Sequence, residues 1–81
     1  MIVTVKLFAR ARELAERGEV RVDVPDGATV TQLRRRLRED APALAGLLDR
    51  CRVAVDEEFA DEDTVLRETS EVALIPPVSG G

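Results

Sequence analysis

The last six residues carry the clearest chemical signal in this sequence. They are Pro76, Pro77, Val78, Ser79, Gly80 and Gly81. The two prolines stop strand pairing and favour an extended, stiff backbone, while the two glycines lack a Cβ and can pass through a narrow channel. A carboxylate on a final glycine is also sterically open to attack on a nucleotide α-phosphate. We therefore predict an extended, flexible tail over residues 76–81 that carries the reactive Gly81 carboxylate into the active site of another protein.

The side chains offer little chemistry of their own. The 81 residues include no His, and Cys51 is the only Cys. A Ser-His-Asp triad, a Cys–His pair and a zinc site built from several Cys and His are therefore excluded for this chain alone. Cys51 lies in phase with Val53 and Val55 and is interpreted as a small buried hydrophobe. We expect the chain itself to bind no metal and no cofactor and to perform no catalysis alone.

The charge distribution argues against a nucleic-acid partner. The 16 acidic and 12 basic residues give a net charge of −4, whereas a nucleic-acid binder normally presents a clustered basic face. The basic residues at 34–38 lie opposite an apolar stripe, and Glu39 and Asp40 follow them, so they are interpreted as a solvated helix face. The acidic groups at 56–58 and 61–63 lack the glycine and distal glutamate of an EF-hand and are interpreted as surface turns.

The sequence also favours a cytoplasmic domain without a membrane partner. No apolar run approaches the roughly 20 residues that span a bilayer, and the first residues show no signal-peptide pattern. A lone Cys fits a reducing compartment. Arg outnumbers Lys eleven to one, and Asn, Gln, Cys and Met are almost absent, which favours a thermophilic bacterium with a GC-rich genome.

Hydrophobic periodicity indicates which elements position the tail. Alternating apolar residues predict strands over residues 2–8, 20–24, 51–55 and 72–75, the last of which is ended by Pro76 and Pro77. Residues 10–17 are interpreted as a short helical or irregular segment. A capping box of Thr29 and Gln32 starts the main helix, and Leu44, Leu47 and Leu48 indicate a short second helix. Three apolar residues of the main helix are spaced so that they form one stripe along it: Val30, Leu33 and Leu37.

This order predicts an α+β fold over residues 1–75. If the first and last strands pair at the centre, the result is the β-grasp plan of ubiquitin-like proteins. We expect a mixed sheet of four to five strands, with one main helix and a short second helix on one face. Phe8 lies out of phase with the buried positions of the first strand. It is either covered by a helix or loop, or exposed as an anchor in a partner interface.

Three segments resemble one known family. They are Phe8-Ala9-Arg10-Ala11-Arg12-Glu13-Leu14, the strand end at Ala54-Val55-Asp56, and the tail from Pro76 to Gly81. Together they resemble the small, sulfur-carrying subunit of molybdopterin synthase, the MoaD family. The resemblance extends over the whole chain in length and element order. The family usually has Asn where this chain has Asp56.

The resemblance implies a mechanism that uses the end of the main chain. An E1-like adenylating enzyme would use MgATP to convert the Gly81 carboxylate into an acyl-adenylate. A persulfide-derived sulfur would then displace AMP and leave a thiocarboxylate. The large synthase subunit would receive the tail, and the sulfur would pass to cyclic pyranopterin monophosphate in molybdenum cofactor biosynthesis.

The same resemblance assigns residues to a partner interface. Phe8 and Ile75, joined by Phe59, would contact the large subunit, and Arg12 would make a polar contact there or with the activating enzyme. Residues 76–81 would form the inserted tail. The assembly implied is a heterotetramer of two carriers and two large subunits.

Other functions share the Gly-Gly end. One alternative is a sulfur carrier for the thiazole of thiamin, for tRNA thiolation or for cysteine synthesis. Another is a ubiquitin-like modifier conjugated through Gly81 to lysines, and a third is a β-grasp interaction module with an incidental glycine end. The length of the chain, the Phe8–Leu14 segment and the Pro-Pro pair favour the molybdopterin branch.

Overall fold

The computed structural model describes residues 1–77, which contain five strands and three α-helices. The strands and helices are, in chain order, β1 (Ile2–Leu7), α1 (Ala9–Ala15), β2 (Glu19–Asp23), α2 (Val30–Asp40), α3 (Ala45–Leu48), β3 (Arg52–Val55), β4 (Glu58–Phe59) and β5 (Val72–Ile75). A 3₁₀ turn at Pro42–Leu44 leads into α3. Within these 77 residues, no helix combines the length and the apolar composition that a membrane crossing requires.

The sheet has the order β2-β1-β5-β3-β4. The first and last strands, β1 and β5, lie side by side and parallel at its centre, and the other three pairings are antiparallel. The predicted β-grasp plan is therefore confirmed, with the first two strands forming an antiparallel pair. A parallel pair needs a long connection, and here the rest of the domain provides it.

The short strand β4 was not predicted, and it corrects the interpretation of one acidic turn. Glu58 was assigned to an acidic turn, but it begins β4, and only Asp56 and Glu57 turn the chain. Both turn residues have left-handed φ values of 52° and 70°, as a two-residue hairpin turn requires. The Asp56 carboxylate accepts a hydrogen bond from the Glu71 N–H at 2.9 Å, which ties this hairpin to the start of β5.

The core lies between the helices and one face of the sheet. Alternate strand residues such as Val5, Val53 and Leu74 are buried there. The apolar stripe predicted for α2 is fully buried against them. The helix starts at the predicted capping box, in which the Thr29 N–H donates to Gln32 Oε1 at 2.8 Å and the Gln32 N–H donates to Thr29 Oγ1 at 3.4 Å. The strong periodicity of this helix explains why its prediction is confirmed.

One arginine of the basic run does not lie on a solvated face. The side chain of Arg34 is only 17% exposed. Its Nη1 donates to the Leu48 carbonyl at 2.6 Å, and its Nε lies 2.8 Å from a Glu62 oxygen. Arg34 thus satisfies a free carbonyl of α3 and holds the 61–63 turn against α2, so its interpretation as a solvated residue was wrong. Arg36 and Arg38 do form exposed ion pairs, with Asp40 and Asp49.

Candidate functional site

The helices cover one face of the sheet and leave the other uncovered. We call the uncovered surface the open face and define it by seven side chains: Lys6, Phe8, Arg52, Ala54, Phe59, Ala73 and Ile75. All seven are exposed or half-buried, although most of them alternate with buried core residues such as Leu7, Val53 and Leu74. The open face therefore results from the same alternation that builds the core.

Strand register brings the residues of the open face together in rows. Lys6 is paired with Ala73, Ala73 with Ala54, and Ala54 with Phe59, so one row crosses four strands. The two alanines between Lys6 and Phe59 have small side chains, so the middle of this row forms a shallow depression in the surface. A partner side chain can therefore contact backbone and methyl groups between a cation and an aromatic ring.

Phe8 and Phe59 are exposed at opposite sides of the open face. Their exposed fractions are 46% and 54%. No helix or loop within residues 1–77 covers Phe8, so the covered alternative was wrong. The guanidinium carbon of Arg52 lies 3.6 Å from the centroid of the Phe59 ring. This cation–π contact restricts the ring, so Phe59 is presented to solvent in a defined orientation.

Ile75 lies between these two aromatic residues. It is half-buried on β5 and is paired in register with Arg52. Sequence reasoning named Phe8, Phe59 and Ile75, and the structure places all three on one surface. It missed Lys6 and Arg52, which share the strand alternation of Phe8 and Ile75. Extending that alternation to polar residues would have found them.

Arg12 lies apart from the open face. It projects from α1 and lines a depression with Glu16, Arg17 and Gly18. Arg12 was predicted to share a partner interface with Phe8, Phe59 and Ile75, but it lines a different part of the surface. Its predicted polar contact would involve a different part of the surface.

The tail begins at the end of β5, between β1 and β3. Pro76 is buried and Pro77 is exposed. Around them is a groove, which we call the tail root, lined by Ala9, Arg10, Glu13, Leu47, Arg50, Pro76 and Pro77. Phe8 directly precedes α1 at the same end of the sheet, so the tail root adjoins the open face. The predicted tail residues Val78, Ser79, Gly80 and Gly81 lie outside the described residues.

The Ala9 backbone connects the open face to the tail root. Ala9 has a left-handed φ of 50°, which costs energy for a residue with a Cβ. The Phe8 carbonyl accepts hydrogen bonds from the Ala11 and Arg12 N–H groups, at 3.1 and 3.4 Å. This sharp entry into α1 turns the chain away from the sheet immediately after Phe8.

Cys51 is placed as a core residue. It is a free thiol, 3% exposed, and directly precedes β3. Burial raises the pKa of the Cys51 thiol, although the nearby Arg34 and Arg50 act in the opposite direction. A buried thiol with a raised pKa is a poor nucleophile. Within residues 1–77, no three His, Cys, Asp or Glu side chains are grouped in a way that could hold a metal ion.

These features define a class of protein. The fold is a ubiquitin-like β-grasp domain, with an open sheet face next to the root of a Gly-Gly tail. The chain belongs to the ThiS family, whose model matches residues 5–81.

Individual relatives agree with this assignment. The molybdopterin synthase sulfur carrier subunit of Dictyostelium discoideum is 34% identical over 80 residues, covering 95% of this chain and 93% of that protein. The subunit of the same name from Drosophila erecta is 40% identical over 82 residues, covering 98% and 90%. Among solved structures, SAMP1 of Haloferax volcanii, a small archaeal modifier protein, has a TM-score of 0.85 and 37% identity, with both chains fully covered.

Proposed function

We propose that this protein is a sulfur carrier of molybdenum cofactor biosynthesis, the small subunit of a molybdopterin synthase. One observation carries this proposal: the full-length similarity to molybdopterin synthase sulfur carrier subunits. The match to the family model also includes the Gly-Gly end, because it extends through Gly81. The resemblance found in the sequence points to the same branch of the family.

The reacting group in this proposal is the Gly81 carboxylate. An E1-like enzyme joins it to the α-phosphate of MgATP and releases pyrophosphate, which turns a poor leaving oxygen into AMP. The terminal sulfur of a persulfide displaces AMP and forms an acyl disulfide. A second thiol then cleaves its S–S bond, which releases the thiocarboxylate and leaves a disulfide. The soft thiocarboxylate sulfur is then a competent nucleophile toward cyclic pyranopterin monophosphate. The general acids and bases belong to the partners, which accounts for a chain without His.

In this proposal, the open face is the surface that binds the large subunit. Exposed aromatic residues next to small ones are typical anchors of protein interfaces. Phe8, Phe59 and Ile75 have this character, and Arg52 pre-orders Phe59, which reduces the entropy lost on docking. The bound carrier then inserts its tail into the active site, in a heterotetramer of two carriers and two large subunits.

Two changes at the chain end test the proposal. Deletion of Gly81, or addition of one residue after it, should abolish thiocarboxylate formation by the activating enzyme, measured as the mass gained when sulfur replaces oxygen. Both variants should retain the wild-type melting temperature, since the change lies outside the core. The wild-type thiocarboxylate, mixed with the large subunit and cyclic pyranopterin monophosphate, should yield the dithiolene. Thiocarboxylate formation by the extended variant would refute the carrier function.

A second function, protein modification, is favoured by the likeness to the small archaeal modifier protein. It uses the same acyl-adenylate but transfers Gly81 to a lysine amine. Isopeptide adducts ending in Gly81 on cellular proteins, identified by mass spectrometry, would support it. If such adducts are absent while dithiolene is formed, the sulfur carrier is the function of this chain.

A further inference from the structure

Two arginines line the tail root, and they differ in their ion pairs within residues 1–77. Arg10 is paired with Glu13, with Nη1 and Oε2 3.1 Å apart. Arg50 lies across the groove in the segment after α3, where its N–H donates to the Leu47 carbonyl at 3.0 Å. Within residues 1–77, no carboxylate lies within ion-pair distance of its guanidinium. Among the described residues, Arg50 thus adds a positive charge beside Pro76 and Pro77 that no carboxylate compensates, on a chain whose net charge is −4.

The length of the tail limits how far an active site can lie from this groove. Four residues follow Pro77, and an extended chain spans at most about 3.6 Å per residue. The Gly81 carboxylate therefore reaches about 14 Å at most from Pro77. An enzyme that brings this carboxylate to a nucleotide must hold the tail root against the mouth of the channel that receives the tail. This step rests on the proposed function, because it assumes that Gly81 is adenylated.

The positive charge of Arg50 indicates which kind of side chain the enzyme presents at the mouth of that channel. When the tail root is covered, Arg50 loses water, and a guanidinium without a partner is costly to desolvate. A carboxylate on the enzyme would offset that cost and form a directional pair with the planar guanidinium. We propose that Arg50 is a docking residue for the adenylating enzyme, and that it pairs with an acidic side chain at the mouth of its tail channel.

The adenylation step is the best place to measure the contribution of Arg50, because it precedes every later transfer of sulfur or of the chain. All the sulfur-carrier branches and the modifier function begin with it, so Arg50 is tested before those functions diverge. The Arg50 contact is also separate from the open face, since Arg50 follows α3 while Phe8, Phe59 and Ile75 lie on the sheet side. A carrier can therefore lose one contact and keep the other.

The experiment compares Arg50→Glu with Arg35→Glu. Arg35 is an exposed arginine of α2 that lies near Asp23 and Pro25, at the opposite end of the sheet. The measurement is ATP–pyrophosphate exchange by the cognate adenylating enzyme at varied carrier concentration. We expect Arg50→Glu to raise the carrier KM by about 10-fold or more with kcat nearly unchanged. Arg35→Glu should change the KM by less than about 2-fold.

Two further measurements separate docking from folding and from the proposed function. The melting temperature of Arg50→Glu should equal that of the wild type, and replacing the acidic residues of the channel mouth by Arg should restore its KM. Equal KM values for Arg50→Glu and Arg35→Glu, or a lower KM for Arg50→Glu, would overturn this inference alone. A wild-type chain that is never adenylated would overturn the proposed function and this inference with it.

Discussion

The two faces of the sheet are built from the same strands but differ in burial and in the side chains they present. Leu74 and Ile75 are neighbours on β5; Leu74 is 0% exposed under the helices, and Ile75 is half-buried on the open face. The covered face contains closely packed aliphatic side chains, whereas the open face contains isolated aromatic, aliphatic and cationic ones. The difference teaches that core packing and the proposed docking surface are separated by a single step along a strand, so that each can be altered alone.

The largest effect is expected on the covered face. Leu74→Ala should lower the free energy of unfolding by about 2–5 kcal/mol, because it leaves a cavity among well-packed neighbours. Ile75→Ala should lower it by less than about 1.5 kcal/mol, since Ile75 contacts solvent on one side. Urea unfolding of both variants measures the difference. Equal losses would show that the two faces do not differ as described.

The next effect concerns docking. Phe8→Ala should weaken binding to the large subunit by about 2 kcal/mol, or roughly 30-fold, because an exposed aromatic anchor is lost. Isothermal titration calorimetry with the large subunit measures the change. The control is Val65→Ala: Val65 is 58% exposed and pairs with Thr29 outside the open face, and its loss should leave the affinity unchanged. Equal affinities for Phe8→Ala and the wild type would exclude the open face as the docking surface.

A smaller effect is expected at the hairpin that presents Phe59. Glu57 has a φ of 70°, which Gly adopts without the steric cost that a Cβ imposes. Glu57→Gly should therefore raise the free energy of unfolding by about 0.5–1 kcal/mol. Glu58→Gly is the matched control, since Glu58 is extended in β4 and should lose stability by a similar amount. Thermal melts of the pair should shift in opposite directions, and a common direction would contradict the turn geometry.

The smallest effect is a pH dependence of the core. Burial raises the pKa of Cys51 in the folded state, so the unfolded chain releases the thiol proton first as pH rises. The stabilisation from this group is complete below the unfolded pKa and is lost as pH rises from there through the folded pKa. Urea unfolding at increasing alkaline pH should show a steeper loss for the wild type than for Cys51→Ala. Parallel profiles would place Cys51 outside the covered face.

Most of the fold could be predicted from the sequence because local patterns specify it. Strand alternation and the Thr29–Gln32 capping box locate the elements, and a buried face leaves little freedom of register. The strand β4 was missed because two residues cannot show a period. The burial of Arg34 was missed because its partners, Leu48 and Glu62, belong to other segments of the chain. The amphipathic pattern of a helix predicts which side faces the core, but it does not predict contacts with other segments of the chain.

The sequence by itself determined which residues face the core, where the main helix starts and that the chain carries a Gly-Gly tail, since these depend on spacing and residue type. Only the tertiary structure decided that Phe8, Ile75 and Phe59 share one surface, that Arg52 stacks on Phe59, and that Arg50 lies beside the tail root. These residues are far apart in the chain, and the central pairing of β1 with β5 brings them together. Their proximity follows from sheet order and register, which are properties of the whole domain rather than of any single segment.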